Sequence, residues 1–294
     1  MKIRTKIFPA LFTPFNNNQV DEQALRELVE LNIKKGVEGF YVCGSSGEVF
    51  LLTVEERKRI LEIVSDQVKE RVSIIAHIGT ISTDLAIELG KHAVSIKGVN
   101  AVSSIPPFYY KFSQDEIISY YLDLAQELSF PVILYNFPKL SGFTITPDMI
   151  KVLRKNPNIV GVKFTSNNFF ALEKIKKNDQ KLIVYNGFDE MYLAGLAMGA
   201  DGAIGSTFNF MAEKFISITQ CFKKSNIEKA RAIQSEANEL IDILSKTSCF
   251  MSAQKFMIDL LGIPFGEPRK PFKPLARDEK VLLGKVAKKY LKQE

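Results

Sequence analysis

Lys163 stands in the run IVGVKFTS (159–166), where Ile159, Val160, Gly161, Val162 and Phe164 are residues of a buried strand. Desolvating an ammonium group is costly, so a lysine in a core-forming run needs a reason. An amine among apolar groups loses proton affinity. Its neutral form attacks a ketone, and the resulting Schiff base accepts electrons when an adjacent carbon–carbon bond breaks. The competing reading is a strand-end lysine that reaches water along its alkyl stem. Three other stretches carry usable chemistry. GSSGE (44–48) sets Ser45 and Ser46 between glycines, where hydroxyls and backbone amides can face an anion such as a carboxylate; the bland reading is an ordinary glycine-rich turn. Tyr135, in LYNFP, is a phenol that positioning can bring into acid–base use, or a packed strand tyrosine. GFDE (187–190) puts Asp189 and Glu190 at a helix start; carboxylates are favoured there by the helix dipole, and they also suit the hydroxyls of a polyol.

Residues so far apart converge only if the fold gathers them. Eight apolar runs read as strands: 7–12, 39–44, 72–77, 101–105, 132–136, 159–164, 182–187 and 202–206. Nearly continuous apolar runs are expected of parallel strands covered on both faces. Between them lie helix signals. Thr53-Val54-Glu55-Glu56 and Ser113-Gln114-Asp115-Glu116 fit capping boxes. Thr146-Pro147 supplies a cap followed by proline at the first helical position. Leu25, Leu28, Val29 and Leu31 mark the apolar face of the first helix. Eight strand–helix units suit a (β/α)8 TIM barrel, typically about 250 residues. An open doubly wound sheet shares the alternation, but no G-x-G-x-x-G follows the first strand. Barrel enzymes work at the carboxyl ends of their strands, where these residues collect. The expected division is a catalytic barrel over 1–223 and a helical extension over 224–294, with a proline-rich link, PFGEPRKPFKPL, before the last helix.

Composition narrows the classes. Of the 294 residues, 46% are hydrophobic and 24% charged, as in a soluble globular protein. The formal net charge of +6 comes from lysines dispersed among acids, so no basic stripe marks a nucleic-acid surface. Cys43, Cys221 and Cys249 lie far apart, as in a reducing cytosol, and with His77 and His92 they give no zinc spacing. His77 ends VSIIAH and reads as a hydrogen-bonded core residue. Pro9 and Pro14 interrupt the apolar part of the amino-terminal run, which argues against a signal peptide, and no stretch approaches a membrane span. A cytoplasmic protein is expected.

In order and placement, GSSGE, YNFP, GVKFTS and YNGFDE resemble the pyruvate-dependent class I aldolase family, from about residue 5 to the carboxyl terminus. The resemblance implies a barrel with a carboxyl-terminal helical extension, a homotetramer, and no metal or organic cofactor. By position, Lys163 would form the Schiff base with pyruvate, Tyr135 would relay the proton, and Ser45 and Ser46 would hold the pyruvyl carboxylate. Tyr109, in PPFYYKF, matches the tyrosine that reaches a neighbouring subunit's site; its spacing to Tyr135 is one residue short of the lyase pattern, and Tyr110 is the adjacent candidate. The family's synthases carry an arginine five residues after the motif tyrosine, where this chain has Leu140, which cannot clamp a second carboxylate. The chain is instead similar to the sialic-acid lyases at LSG, Thr165, GFDE and Ser206, which makes Thr165, Gly187, Asp189, Glu190 and Ser206 the expected sugar-tail set. The implied reaction is reversible cleavage of N-acetylneuraminic acid to pyruvate and N-acetylmannosamine. The alternatives are a synthase, an aldolase for a shorter 2-keto-3-deoxy sugar acid, and a non-catalytic binder of the sugar acid. The role of Phe250 is left open.

Overall fold

The computed structural model describes residues 7–291; the basic start of the amino-terminal run (1–6) and the end of the last expected helix (292–294) lie outside them. Eight parallel strands form one sheet: β1 (Ile7–Pro9), β2 (Gly39–Val42), β3 (Ser73–His77), β4 (Val99–Ser104), β5 (Val132–Asn136), β6 (Ile159–Phe164), β7 (Ile183–Asn186) and β8 (Gly202–Gly205). Consecutive strands from β2 to β8 pair in parallel, and β8 pairs with β1. Between β1 and β2 there is a single bridge, Ala10 with Tyr41, where the Leu11 amide donates to the Tyr41 carbonyl at 3.0 Å. The expected (β/α)8 barrel is therefore present. Every strand read from the sequence is found, with some ends trimmed. The second is shorter than its apolar run because Cys43 takes a φ of 57° and turns the chain out of the sheet.

The helices that cover the barrel are α1 (Glu22–Lys34), α2 (Val54–Val68), α3 (Thr83–Ser95), α4 (Gln114–Leu128), α5 (Pro138–Ser141), α6 (Pro147–Leu153), α7 (Phe169–Asn178), α8 (Tyr192–Ala197) and α9 (Phe208–Lys223). Their start signals work as read. The Thr53 hydroxyl accepts from the Glu56 amide at 3.1 Å, and the Glu56 carboxylate accepts from the Thr53 amide at 2.8 Å. Ser113 and Glu116 repeat the exchange, and the Thr146 hydroxyl caps α6 with Pro147 at its first position. On α1, Leu25, Leu28 and Val29 are buried, while Leu31 is half-buried. After α9 come α10 (Ile227–Ser245), α11 (Phe250–Asp259) and α12 (Arg277–Tyr290). The Tyr290 hydroxyl, donating to Glu239 at 2.7 Å, fastens α12 to α10.

The strand alternation sorts the core into two layers. Ile159, Val162 and Phe164 of β6 belong to the layer packed against the helices. Phe8, Tyr41, Ile75, Ile133, Tyr135, Ile183, Tyr185 and Ile204 fill the barrel interior. No helix among the described residues is long and apolar enough to cross a membrane.

Candidate active site

Period-two alternation explains how Lys163 can sit in an apolar run. Its sequence neighbours Val162 and Phe164 face outward to the helices, so the lysine faces into the barrel. It is 4% exposed. Its register partner on β5 is Tyr135, and its Nζ lies 4.0 Å from the centre of the Tyr135 ring and 4.3 Å from that of Tyr41. Aromatic faces attract a cationic amine and, being apolar, also tolerate a neutral one. No hydrogen bond or salt bridge ties this amine among the described residues. Held against two ring faces, the buried amine has no hydrogen-bond partner to give up before it meets a substrate carbonyl.

The two rings have their own supports. Tyr41 and Tyr135 meet edge to face at 6.1 Å, the Tyr41 hydroxyl donates to Ser103 Oγ at 3.1 Å, and Phe137 stacks on Tyr135 at 5.9 Å. Burial pushes the Tyr41 phenol well above its ordinary value, so it stays protonated. His77 lies 5.9 Å from both rings. Its Nδ1 donates to the Cys43 carbonyl at 3.0 Å and its Nε2 accepts from the Ile105 amide at 3.4 Å, which fixes the tautomer. Burial first, then the charges of Arg57 and Lys163, hold it well below its ordinary 6.5, so it is neutral. It is the hydrogen-bonded core histidine that the sequence suggested.

Ser45 and Ser46 form a single turn after β2 and are half-buried. Gly44 brings this turn against Tyr41; a Cβ there would fall 2.6 Å from the ring. The hydroxyls thus stand on the strand that carries one of the lysine's two rings, at the same barrel end. The turn closes on Glu48, left-handed with φ 60° and 3% exposed. Its carboxylate meets Lys255 of α11 at 2.9 Å and accepts from the Arg269 amide at 2.7 Å.

The expected tail set is brought to neighbouring strand ends, but its members differ in availability. Thr165 is 4% exposed, and its hydroxyl is a buried polar atom without a hydrogen-bond partner. It packs against Gly187, where an added Cβ would fall 1.9 Å from Thr165 Oγ1. Asp189 and Glu190 are not equivalent acceptors: Asp189 is buried, and its Oδ2 accepts from the Thr207 amide at 2.8 Å and the Thr207 hydroxyl at 2.7 Å, whereas Glu190 is exposed. Desolvation pushes Asp189 up to about 6, against the two Thr207 hydrogen bonds. Ser206 is half-buried and its hydroxyl donates to Gln254 of α11 at 2.7 Å.

Other expected residues are exposed rather than buried with this cluster. Tyr109 is 86% exposed with a φ of 83°, Tyr110 is 66% exposed, and the two rings contact one another at 5.1 Å. Leu140 is exposed on α5, and Phe250 is partly exposed at the first position of α11. Sequence reasoning missed Tyr41, whose signal was its place near the end of a strand beside the glycine turn, and Gln254, which carried none. A groove of about 910 Å³ lined by Phe15, Asn18, Glu56, Glu267 and Arg269 holds none of the site residues, and Glu56 neutralises its Arg269. Among the described residues no cluster of His, Cys, Asp or Glu could hold a metal ion.

The sequence profile of the dihydrodipicolinate synthetase family matches residues 4–290. The chain belongs to that family. It is 44% identical to the N-acetylneuraminate lyase of Rhizobium meliloti (strain 1021), over 91% of this chain and 89% of the relative. In three dimensions it is similar to CdNal from Clostridium difficile, solved in complex with mannosamine, at a TM-score of 0.95 and 35% identity, covering 99% of this chain and 100% of that one. The N-acetylneuraminate lyase of Fusobacterium nucleatum complexed with pyruvate superposes at a TM-score of 0.93 with 36% identity, over 98% of each chain. Membership of this family makes the chain a class I aldolase built on the barrel described above.

Proposed function

We propose that this protein is an N-acetylneuraminate lyase, cleaving N-acetylneuraminic acid reversibly to pyruvate and N-acetylmannosamine. The observation that carries the reading is the uncommitted Lys163 amine, buried at the barrel's catalytic end against Tyr135 and Tyr41. The relative at 44% identity, named as such a lyase, supports the choice of substrate. In the reaction, the Lys163 amine adds to C2 of the open-chain ketone and water leaves, giving the iminium. Ser45 and Ser46 hold the adjacent carboxylate. Tyr135, aided by that carboxylate, takes the proton from the C4 hydroxyl as the C3–C4 bond breaks. C4 becomes the aldehyde of N-acetylmannosamine, and the bonding pair moves into the iminium to form an enamine. Protonation at C3 and hydrolysis return pyruvate and the free amine. Thr165, Gly187, Asp189, Glu190 and Ser206 bind the hydroxylated tail; the partnerless Thr165 hydroxyl and the exposed Glu190 support this part.

The division into a catalytic barrel (1–223) and a helical extension (224–294), the cytoplasmic location and a homotetramer belong to the same proposal. Exposure of Tyr109 and Tyr110 supports an assembly in which this loop meets a neighbouring subunit; light scattering giving the mass of a single chain would sink it. The reaction is tested by assaying pyruvate released from N-acetylneuraminic acid and by borohydride reduction in the presence of pyruvate. Release, with a reduced pyruvyl adduct on Lys163, is expected. No release and no adduct overturns the reading, and faster cleavage of a six-carbon keto acid moves it to the shorter-chain aldolases.

A further inference from the structure

Two adjacent residues of α11 reach into two different parts of the site. Lys255, 1% exposed, gives its ammonium to Glu48 at 2.9 Å and to the Thr13 carbonyl at 2.9 Å. Both side chains of the pair are removed from water, 1% and 0% exposed. A buried pair of this kind is weak evidence for stability as such, and its best attested use is to fix one arrangement against others. Glu48 is the left-handed residue that closes the Ser45–Ser46 turn, so the pair fixes where those hydroxyls stand. One residue earlier, Gln254 is 3% exposed, and its Oε1 accepts from the Ser206 hydroxyl at 2.7 Å. With its proton committed, the Ser206 oxygen is left to accept from a sugar hydroxyl.

We propose that α11 is a two-pronged clamp of the site: Lys255, through Glu48, is the positioning residue for the pyruvyl carboxylate turn, and Gln254 is the positioning residue that sets Ser206 for the sugar tail. The proposal rests on the aldolase reading. Because the prongs serve different halves of the substrate, their losses separate kinetically, which a general loss of packing does not produce. The condensation direction gives each half its own readout: half-saturation by pyruvate, from borohydride trapping, and KM for N-acetylmannosamine.

Glu48→Gln combined with Lys255→Met removes both charges and leaves none buried alone; Gln254→Met removes only the acceptor of the serine. The double variant raises the pyruvate half-saturation about tenfold with the amino-sugar KM within about twofold, and Gln254→Met does the reverse, the size expected for one or two lost hydrogen bonds. Equal changes in both readouts, or none, in folded variants overturn the clamp. Should the double variant not fold, Gln254→Met decides alone, and an unchanged amino-sugar KM overturns it. Wild-type protein that traps no pyruvate overturns the aldolase reading and the clamp with it; trapping wild type with unaltered variants overturns the clamp only.

Discussion

At the scale of single residues, the covalent and the acid–base roles separate by substitution. Lys163→Ala removes the group that joins the ketone, and pyruvate release should fall to background. Tyr135→Phe keeps the ring that flanks the amine and loses only the hydroxyl, so kcat should drop about 10²–10⁴-fold, the usual worth of positioned acid–base help, while borohydride still traps pyruvate. Asp189 supplies a pH dependence. Its folded-state value is raised from the ordinary 3.8 to about 6, so the native state holds this proton more tightly than the unfolded chain. Its ionisation therefore weakens the fold as pH rises from 3.8 through about 6. Function runs the other way: above that range the carboxylate accepts from Thr207, and below it one acceptor is lost. The KM for N-acetylneuraminic acid should rise as pH falls through about 6, and Asp189→Asn should flatten the profile. Lys163 stood out in the sequence because an ammonium group is odd in a strand run, whereas Tyr135 and the serine pair were singled out by the family resemblance of YNFP and GSSGE. Tyr41 was not, since an aromatic in a strand is ordinary core until its neighbours across the sheet are known.

At the scale of elements, alternation along a strand decides what faces the barrel axis, and loop geometry decides what reaches the substrate. Gly187 touches Thr165 so closely that Gly187→Ala must displace both that side chain and its backbone, with an added Cβ 2.9 Å from Thr165 Cβ and 3.0 Å from its Cα. Sugar turnover should collapse in this variant while pyruvate trapping persists, a contrast measurable in one preparation. The elements themselves were legible before any coordinates. Capping boxes are local chemistry, complete within four residues, and the strands announce themselves by apolar runs. Less legible was the inequality of Asp189 and Glu190, adjacent in sequence yet buried and exposed, because it depends on Thr207 arriving at the head of α9. The contacts of Gln254 and Lys255 with residues 48 and 207 positions away in sequence leave no local mark.

At the scale of the whole molecule, the barrel and the extension each hold one charge of a buried pair, so neither charge can be removed alone without cost. Lys255→Ala alone would strand the Glu48 carboxylate in a dry interior, and breaking one side of such a pair costs about 3–5 kcal/mol. Urea denaturation should show that loss, whereas Lys246→Ala, which breaks the exposed pair with Asp242, should stay within about 1 kcal/mol of wild type. The barrel has one further asymmetry. Around the ring every junction is a run of paired strands except that between β1 and β2, which is a single bridge at Ala10 and Tyr41. Tyr41 is also a floor on which the reactive amine rests. Breathing at this seam would tilt that floor, so the thinnest stitch in the wall and the seat of the nucleophile share one residue. Exchange of the Leu11 amide proton, which bonds to the Tyr41 carbonyl, would time the opening.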